Sequence, residues 1–270
     1  MTEDCATCPA NASLAQMGVD VSNFDYLIAL AGNPNTGKST VFNALTGLRQ
    51  HTGNWPGKTV TRAEGGYQFQ NKRYKLVDLP GTYSLLSASQ DEEIARNFIL
   101  FGQPDCTVVV NDATCLERNL NLVLQVLEIT DRAVVVVNLM DEARRKDIAV
   151  DVRALARELG VPVVAAAARS GEGLGDILAA VRDVVTGQAS VQPKRVQAHP
   201  ALESAIRDLL PLIEQAAPGL PNPRWVALRL LDGDLRIRQA LLSGELGEIA
   251  ARQRQAVRGF SRKIALQGAQ

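Results

Sequence analysis

The chain has few of the residues that mark several common classes of protein. Its 270 residues include only four cysteines and two histidines, and Lys plus Arg equals Asp plus Glu at 29 each. Four cysteines without a secretory signal form no disulfide framework, which favours a reducing compartment. Balanced charge excludes a global attraction to nucleic acid. No apolar run approaches the roughly 18 residues of a membrane helix, so we predict a soluble chain that binds no nucleic acid.

The first 25 residues also have few large apolar side chains and no clear period. We predict that residues 1–25 form a mobile leader. They contain a C-x-x-C pair, Cys5 and Cys8. A structural zinc site needs four ligands and no second pair lies nearby, so the pair stays a candidate redox or metal element without assigned partners.

The most informative stretch runs from Tyr26 to Gly47. An apolar run predicts a buried strand, the segment Gly32-Asn-Pro-Asn-Thr-Gly-Lys-Ser39 fits the phosphate-binding pattern G-x-x-x-x-G-K-[ST], and a helical pattern follows. Lys38 would reach the β- and γ-phosphates, and the Ser39 hydroxyl would bind Mg²⁺. The predicted nucleotide contacts of this loop are Gly32, Asn33, Pro34, Asn35, Thr36, Gly37, Lys38, Ser39 and Thr40.

Strand-like runs alternate with helical patterns as far as Val185. This alternation predicts an α/β fold with a mainly parallel sheet, taken as six-stranded and Ras-like, with helices on both faces. We assign residues 26–186 to this P-loop domain and residues 187–198 to a linker. Only helical patterns follow, so a small all-α domain is expected to extend to residue 270.

Two further motifs follow predicted strands and point to GTP. The Asp141 carboxylate of Asn138-Leu-Met-Asp141 would accept both the N1–H and the exocyclic amine of guanine, a match that adenine does not offer. Asn138 would bond the other edge of the base and the phosphate loop. In Asp78-Leu-Pro-Gly81, Asp78 would hold the Mg²⁺ shell, and the Gly81 N–H would face the γ-phosphate.

The switch chemistry is less fully specified. Residues 48–63 are rich in Gly, Thr, Asn and Pro, which predicts an exposed, movable loop that carries a Mg²⁺-binding threonine. The residues alone leave Thr52, Thr59 and Thr61 open. Thr82 follows Gly81, where many GTPases place a glutamine that orients water, so intrinsic hydrolysis should be slow or rely on another group.

Together these segments resemble the cytosolic G domain of the bacterial ferrous-iron transporter family FeoB. The resemblance also includes Gly53-Asn-Trp-Pro-Gly-Lys-Thr59-Val60, Asn111-Asp-Ala-Thr114 and a helical segment from Arg224 to Asp234. It implies a Mg²⁺-dependent, K⁺-stimulated GTPase that regulates Fe(II) uptake. In that case Thr59 is the switch threonine.

The resemblance also implies a K⁺ site formed by the Asn35 side chain and the backbone carbonyls of Gly53 and Trp55. Trp55 would be either a lid over the site or an exposed anchor. The catalytic set would then be Lys38, Asn35, Thr59 and Gly81.

The chain departs from the usual base-binding pattern at two places. Leu139 replaces the usual lysine of N-K-x-D, beside Met140. The third base-contacting loop has Ala168 and Arg169 where Ser-Ala or Ser-Thr is usual. A backbone N–H near Ala168 would still donate to guanine O6. Because the usual stabilising hydroxyl is missing, the rate of GDP release is not specified by the sequence.

The resemblance further implies partners and a location. The chain would be the soluble part of a longer transporter at the cytoplasmic face of the inner membrane, joined to a membrane-spanning remainder. Small accessory iron-transport proteins and self-association are further expectations. Basic residues after Glu248 would suit a membrane-proximal end or a solvated helix face. His51 and His199 lie far apart in sequence, so no iron site is predicted.

Two other functions stay open at this stage. One is a soluble ribosome- or tRNA-associated GTPase, which should carry an RNA-binding module. The other is a nucleotide-sensing module with negligible turnover, which Thr82 and the altered Ala168 loop favour.

Overall fold

The computed structural model describes Leu14 and residues 17–47, 50–86, 89–195, 198–220, 222–248 and 250–251. The chain divides into two compact units, residues 1–195 and 196–270. Cys5, Cys8 and the basic residues from Arg252 onward lie outside the described residues. Within the described ranges, no helix is both long enough and apolar enough to cross a membrane.

The first unit is built on one sheet of seven strands in the order β2-β3-β4-β1-β5-β6-β7. The strands are β1 (Tyr26–Gly32), β2 (Gln50–Asn54), β3 (Thr61–Phe69), β4 (Lys72–Asp78), β5 (Cys106–Asp112), β6 (Ala133–Asn138) and β7 (Val163–Ala165). Neighbours are parallel from β4 through β1 to β7, and β3 is antiparallel to both β2 and β4. The predicted mainly parallel sheet is confirmed.

The sheet has seven strands instead of the predicted six, because part of the predicted movable loop is a strand. Edge strand β2 pairs with β3 from Gln50↔Gly65 to Asn54↔Thr61. Residues 51–54 are all exposed, so no buried face imposes an alternating pattern on the sequence. Edge pairing through backbone hydrogen bonds therefore gave no signal that sequence reading could detect.

Helices cover the sheet because both faces of its central strands are apolar. The helices of this unit are α1 (Lys38–Thr46), α2 (Gln90–Asn97, continued by a π-helical turn at Phe98–Gly102), α3 (Leu116–Ile129), α4 (Met140–Arg145), α5 (Val152–Leu159) and α6 (Leu174–Val185). Successive strand residues point to opposite faces. Ile28, Ala29 and Leu30 are nevertheless all fully buried, as expected for a parallel sheet covered on both sides.

The second unit consists of helices α7 (Pro200–Ala216), α8 (Pro223–Leu231) and α9 (Leu235–Leu242). Ile213, Trp225 and Ile237 are buried in it. Two Arg224–Glu203 hydrogen bonds of 2.8 Å tie α8 to α7. The helical patterns predicted for this part of the chain are confirmed.

Candidate functional site

The phosphate loop lies between β1 and α1, at the carboxyl end of the parallel strands. Asn35 and Gly37 adopt left-handed backbone conformations, with φ of 66° and 76°. The Thr36 hydroxyl donates to the Asn33 carbonyl at 2.9 Å. An added Cβ on Gly37 would lie 2.4 Å from Asn138 Nδ2. Both the backbone angle and the available space therefore require glycine at position 37.

The D-x-x-G segment lies against this loop. The Thr82 N–H donates to the Gly32 carbonyl at 3.2 Å. A Cβ added to Gly81 would be 3.5 Å from Pro34 Cα. The structure therefore places Gly81 beside the loop that would hold the phosphates.

Lys38 and Asp78 form an ion pair between α1 and the end of β4, and Lys38 Nζ also donates to the Leu79 carbonyl at 2.7 Å. The two side chains are only 10% and 16% exposed. Burial raises the pKa of Asp78 above its ordinary value, and Lys38 opposes that rise. A carboxylate in such surroundings needs a cation beside it. If Lys38 turned to a phosphate, Asp78 would need another cation.

The oxygen donors here fit Mg²⁺, which prefers hard oxygen ligands. Ser39 follows Lys38 in the first turn of α1 and is exposed. Asp78 supplies a carboxylate that already has a cationic neighbour. Two of the three predicted magnesium ligands thus come from adjacent elements of the site.

The third predicted ligand, Thr59, lies elsewhere. It is exposed in the turn between β2 and β3. The Trp55 N–H donates to Val60 O, and the Lys58 N–H donates to Trp55 O, both at 3.0 Å. Among the described residues, no hydrogen bond or ion pair joins residues 50–60 to the phosphate loop.

The predicted potassium ligands are likewise separate in this conformation. Asn35 and Gly53 are both exposed, and Gly53 pairs with Arg62 in the β2–β3 ladder. Trp55 is only 4% exposed, and its ring meets Phe98 edge-on at a centroid distance of 5.5 Å. The exposed-anchor interpretation of Trp55 is therefore wrong, because the indole is buried against the π-helical turn.

The base site is joined to the phosphate loop by Asn138. Its Nδ2 donates to the Thr36 carbonyl at 3.0 Å, and its Oδ1 accepts from the Ala168 N–H at 3.0 Å. Leu139, with φ of 61°, begins α4, so Met140 and Asp141 lie in its first turn. The Asp141 side chain is 37% exposed. The Met140 N–H is bonded to Ala166 O at 3.1 Å.

The sequence predicts that a backbone N–H near Ala168 meets guanine O6, and the N–H of Ala168 itself is bonded to Asn138. Two later N–H groups of the same turn, those of Ser170 and Gly171, are bonded to Ala167 O and Ala168 O. The Arg169 N–H has no hydrogen-bond partner among the residues that the structure describes. Of the two predicted contacts, Arg169 is therefore the one whose N–H is available.

One ion pair at the base site escaped sequence reasoning. Arg144 of α4 bonds both carboxylate oxygens of Glu172, at 2.8 and 2.6 Å, and so links α4 to the Ala168 loop. The hydrogen bond from Arg144 lowers the pKa of Glu172. The two residues lie 28 positions apart, and no sequence pattern links opposite charges at that separation.

Thr82 occupies the position where many GTPases have a glutamine, and its side chain forms a hydrogen bond within its own loop. Thr82 is 5% exposed, and its hydroxyl donates to the Ser84 carbonyl at 2.8 Å. The Ser84 hydroxyl bonds Glu92 at 2.8 Å, and the Leu85 N–H bonds Gln125 at 2.6 Å. The segment after Asp78 is thereby tied to α2 and α3.

Two family models match the chain. The model described as "Ferrous iron transport protein B" matches residues 26–181, and "FeoB cytosolic helical domain" matches residues 199–264. The "Fe(2+) transporter FeoB" of Shigella flexneri is 41% identical over 212 residues, which cover 77% of this chain and 27% of that protein. The chain therefore spans about a quarter of the length of the curated relatives that it matches.

Solved structures are similar over most of the chain. The cytosolic domain of T. maritima FeoB in apo form has a TM-score of 0.74 and 32% identity, covering 88% of this chain and 98% of that one. The cytosolic domain of L. pneumophila FeoB has a TM-score of 0.72 and 33% identity, covering 83% and 88%. The T. maritima domain was also solved in GDP and GMPPNP forms.

Proposed function

The chain belongs to the ferrous iron transport protein B family, with a P-loop GTPase domain as its first unit, and on that premise we propose that this domain switches Fe(II) uptake by a slow, Mg²⁺-dependent, K⁺-stimulated GTPase cycle. The observation that carries the proposal is the Asn138 bridge. It joins the base-binding and phosphate-binding loops through hydrogen bonds of 3.0 Å to Thr36 and Ala168. One buried side chain thus sets the distance between the sites for the two ends of the nucleotide.

Guanine would be selected by Asp141 and the Ala168 loop. The half-exposed Asp141 carboxylate accepts from N1–H and the exocyclic amine, and the Arg169 N–H donates to O6. Adenine offers neither pair, so polar groups of the site would be left unpaired. Arg144 and Glu172 support this arrangement by linking the two loops.

At the phosphate end, Lys38 would leave Asp78 for the β- and γ-phosphates. Ser39 and Asp78 would then hold Mg²⁺, which supplies charge neutralisation at the transferring phosphoryl group. The Gly81 N–H, placed beside Pro34, would face the γ-phosphate. The ion pair of the largely buried Asp78 with Lys38 supports this exchange, because Mg²⁺ would replace Lys38 as the cation beside the carboxylate.

Completion of the site requires residues 50–60 to leave the conformation described above. Thr59 would move to the magnesium shell, and the carbonyls of Gly53 and Trp55 would join Asn35 around K⁺. A monovalent cation there supplies positive charge in the place of an arginine finger. Loss of the γ-phosphate would release the loop, and this order–disorder change is the signal that we assign to the cycle.

The signal would pass to a membrane-spanning remainder at the cytoplasmic face of the inner membrane. The curated relatives support this assignment, since they are Fe(2+) transporters about four times as long as the matched region. Small accessory iron-transport proteins and a second copy of the chain are further proposed partners. We propose no nucleic-acid partner.

Phosphate release from GTP and ATP, each in KCl and in NaCl, tests the proposal. We expect turnover with GTP in KCl, and little with ATP or in NaCl. Asn35→Ala should remove the potassium preference, and Asp141→Asn should remove the preference for guanine. Equal rates in both salts would refute the potassium site, and equal rates with ATP would refute the base assignment.

One observation favours a second candidate, a nucleotide sensor with negligible turnover. The Thr82 hydroxyl is bonded to Ser84 within its own loop, so it is poorly placed to orient water. A chain that binds GTP tightly and releases no phosphate in either salt would support the sensor.

A further inference from the structure

The segment that precedes the family match is docked on the G domain. We call residues 14–25 the leader segment; Leu14 and residues 17–25 of it are described, and the family match begins at residue 26. Leu14 and Val19 are 5% and 3% exposed. At its far end, a Cβ added to Gly66 of β3 would lie 2.6 Å from Phe24 Cε1. The leader segment therefore has two buried apolar side chains, and the ring of Phe24 lies against β3 at Gly66.

Arg62 connects the leader segment to Trp55, which lies in the turn between β2 and β3. Its Nη1 donates to the Met17 carbonyl at 2.6 Å, and its guanidinium carbon lies 5.6 Å from the centroid of the Trp55 ring. Its Nε pairs with Glu64 at 2.6 Å, and Glu64 pairs with Lys75 at 2.5 Å. Because these three charged side chains are at most 15% exposed, Arg62 is held in one position.

The leader segment also lies close to the π-helical turn that contains Phe98 and Gly102. A Cβ added to Gly102 would lie 3.4 Å from Leu14 Cδ2, 3.5 Å from Phe98 Cδ2 and 3.6 Å from Met17 Sδ. Phe98 is the ring against which Trp55 packs. The leader segment therefore bonds Arg62 and lies against Gly102, at the end of the π-helical turn that begins with Phe98.

We propose that the leader segment is a built-in brace that holds residues 55–60 in the turn where Thr59 is exposed. This inference rests on the proposed function, because Thr59 must leave that turn to reach the magnesium shell. Trp55 and Val60 close the turn through a backbone hydrogen bond, so burial of the indole beside Arg62 resists the movement. Displacing the leader segment removes the hydrogen bond from Arg62 to the Met17 carbonyl, and with it the link between the leader segment and the Arg62–Trp55 contact, which favours the switched conformation.

Two variants undock the leader segment without altering the nucleotide site. One lacks residues 1–25. The other is Gly18→Val, because Gly18 has φ of 73° and an added Cβ would lie 2.4 Å from Arg62 Nη1. Ser22→Ala is the matched control, since Ser22 is an exposed residue of the same segment. If the shortened chain does not fold, Gly18→Val carries the test alone.

Hydrogen–deuterium exchange of the nucleotide-free proteins measures directly whether the leader segment stabilises the turn. We expect the amides of Trp55 and Lys58 to exchange about tenfold faster in both variants, the size of effect from losing one hydrogen bond to a charged group. Amides of the central strand β6 should be unchanged. Adding a peptide of residues 1–25 should restore slow exchange in the shortened chain. Unchanged exchange in Gly18→Val would overturn the proposal.

GTP turnover in KCl separates this inference from the proposed function. Both variants should release phosphate several-fold faster than the full chain, and Ser22→Ala should match the full chain. A slower rate in a folded variant would overturn the brace. No phosphate release by any protein, including the full chain, would count against the proposed GTPase cycle, while the exchange result would still decide whether the leader segment holds the turn.

Discussion

Replacing Asn138 by alanine tests whether the base site and the phosphate loop depend on each other. Asn138 is 1% exposed and makes two hydrogen bonds of 3.0 Å, to Thr36 O and from the Ala168 N–H. Alanine leaves both backbone groups without this partner. At about 1–3 kcal/mol for each buried unsatisfied group, the free energy of unfolding should fall by about 2–6 kcal/mol.

The same loss should appear in nucleotide affinity, because the two loops would no longer be held at a fixed distance. If only one of the two bonds matters for the bound nucleotide, GDP affinity should fall roughly 5- to 150-fold. Urea unfolding measures the first quantity, and titration with a fluorescent GDP analogue measures the second. Both should be measured at a temperature where the variant is folded.

Asn119→Ala is the matched control. Asn119 is also buried, at 2% exposure, and also bonds two backbone groups, accepting from the Asp112 N–H at 3.0 Å and donating to Cys115 O at 3.1 Å. Its loss should reduce the free energy of unfolding by a similar amount and leave GDP affinity nearly unchanged. If both variants bind GDP equally well, the bridging role assigned to Asn138 is wrong.

Three further predictions follow from individual contacts. Gly37→Ala should fold but lose GDP affinity in calorimetric titration, because a left-handed residue costs about 1–2 kcal/mol and the new Cβ would displace Asn138; unchanged affinity would refute this. Glu172→Gln should speed GDP release several-fold in stopped flow and remove its salt dependence, whereas Glu158→Gln, whose exposed ion pair with Lys194 involves neither base-binding loop, should not. Burial raises the pKa of Asp105 above 3.8, so the folded state binds its proton more tightly than the unfolded state does. Urea unfolding should therefore find Asp105→Asn more stable than the parent near neutral pH, with the difference shrinking as the pH falls towards 3.8; a difference that is constant with pH would contradict this assignment.

Much of the site was predictable because its motifs are local. A strand, a glycine-rich turn and a helix start within a few residues of one another, so Gly37 and Lys38 could be assigned from spacing alone. The buried strands β5 and β6 were equally clear, since both are continuous apolar runs. The polar turn Gln70-Asn-Lys-Arg73 between two strand-like runs is typical of a hairpin, and β3 and β4 form one in which Gln70 and Asn71 both have positive φ.

Features formed by distant segments were not predictable from such patterns. Edge strand β2 has no buried face, so its pairing with β3 left no periodicity. The bond from the Ala168 N–H to Asn138, a residue 30 positions earlier, also has no signature in the sequence. The Arg144–Glu172 pair and the docking of the leader segment are likewise contacts between segments that no local pattern connects.

The sequence by itself identified the candidate residues for phosphate, magnesium and guanine binding, because that chemistry depends on residue type and short spacing. Only the tertiary structure decided which of these groups lie together in this conformation. Lys38 meets Asp78 across 40 positions and Asn138 meets Thr36 across 102, because parallel strands deliver their carboxyl ends to one edge of the sheet. Thr59 lies apart in the turn between β2 and β3, where Trp55 packs against Phe98 and beside Arg62.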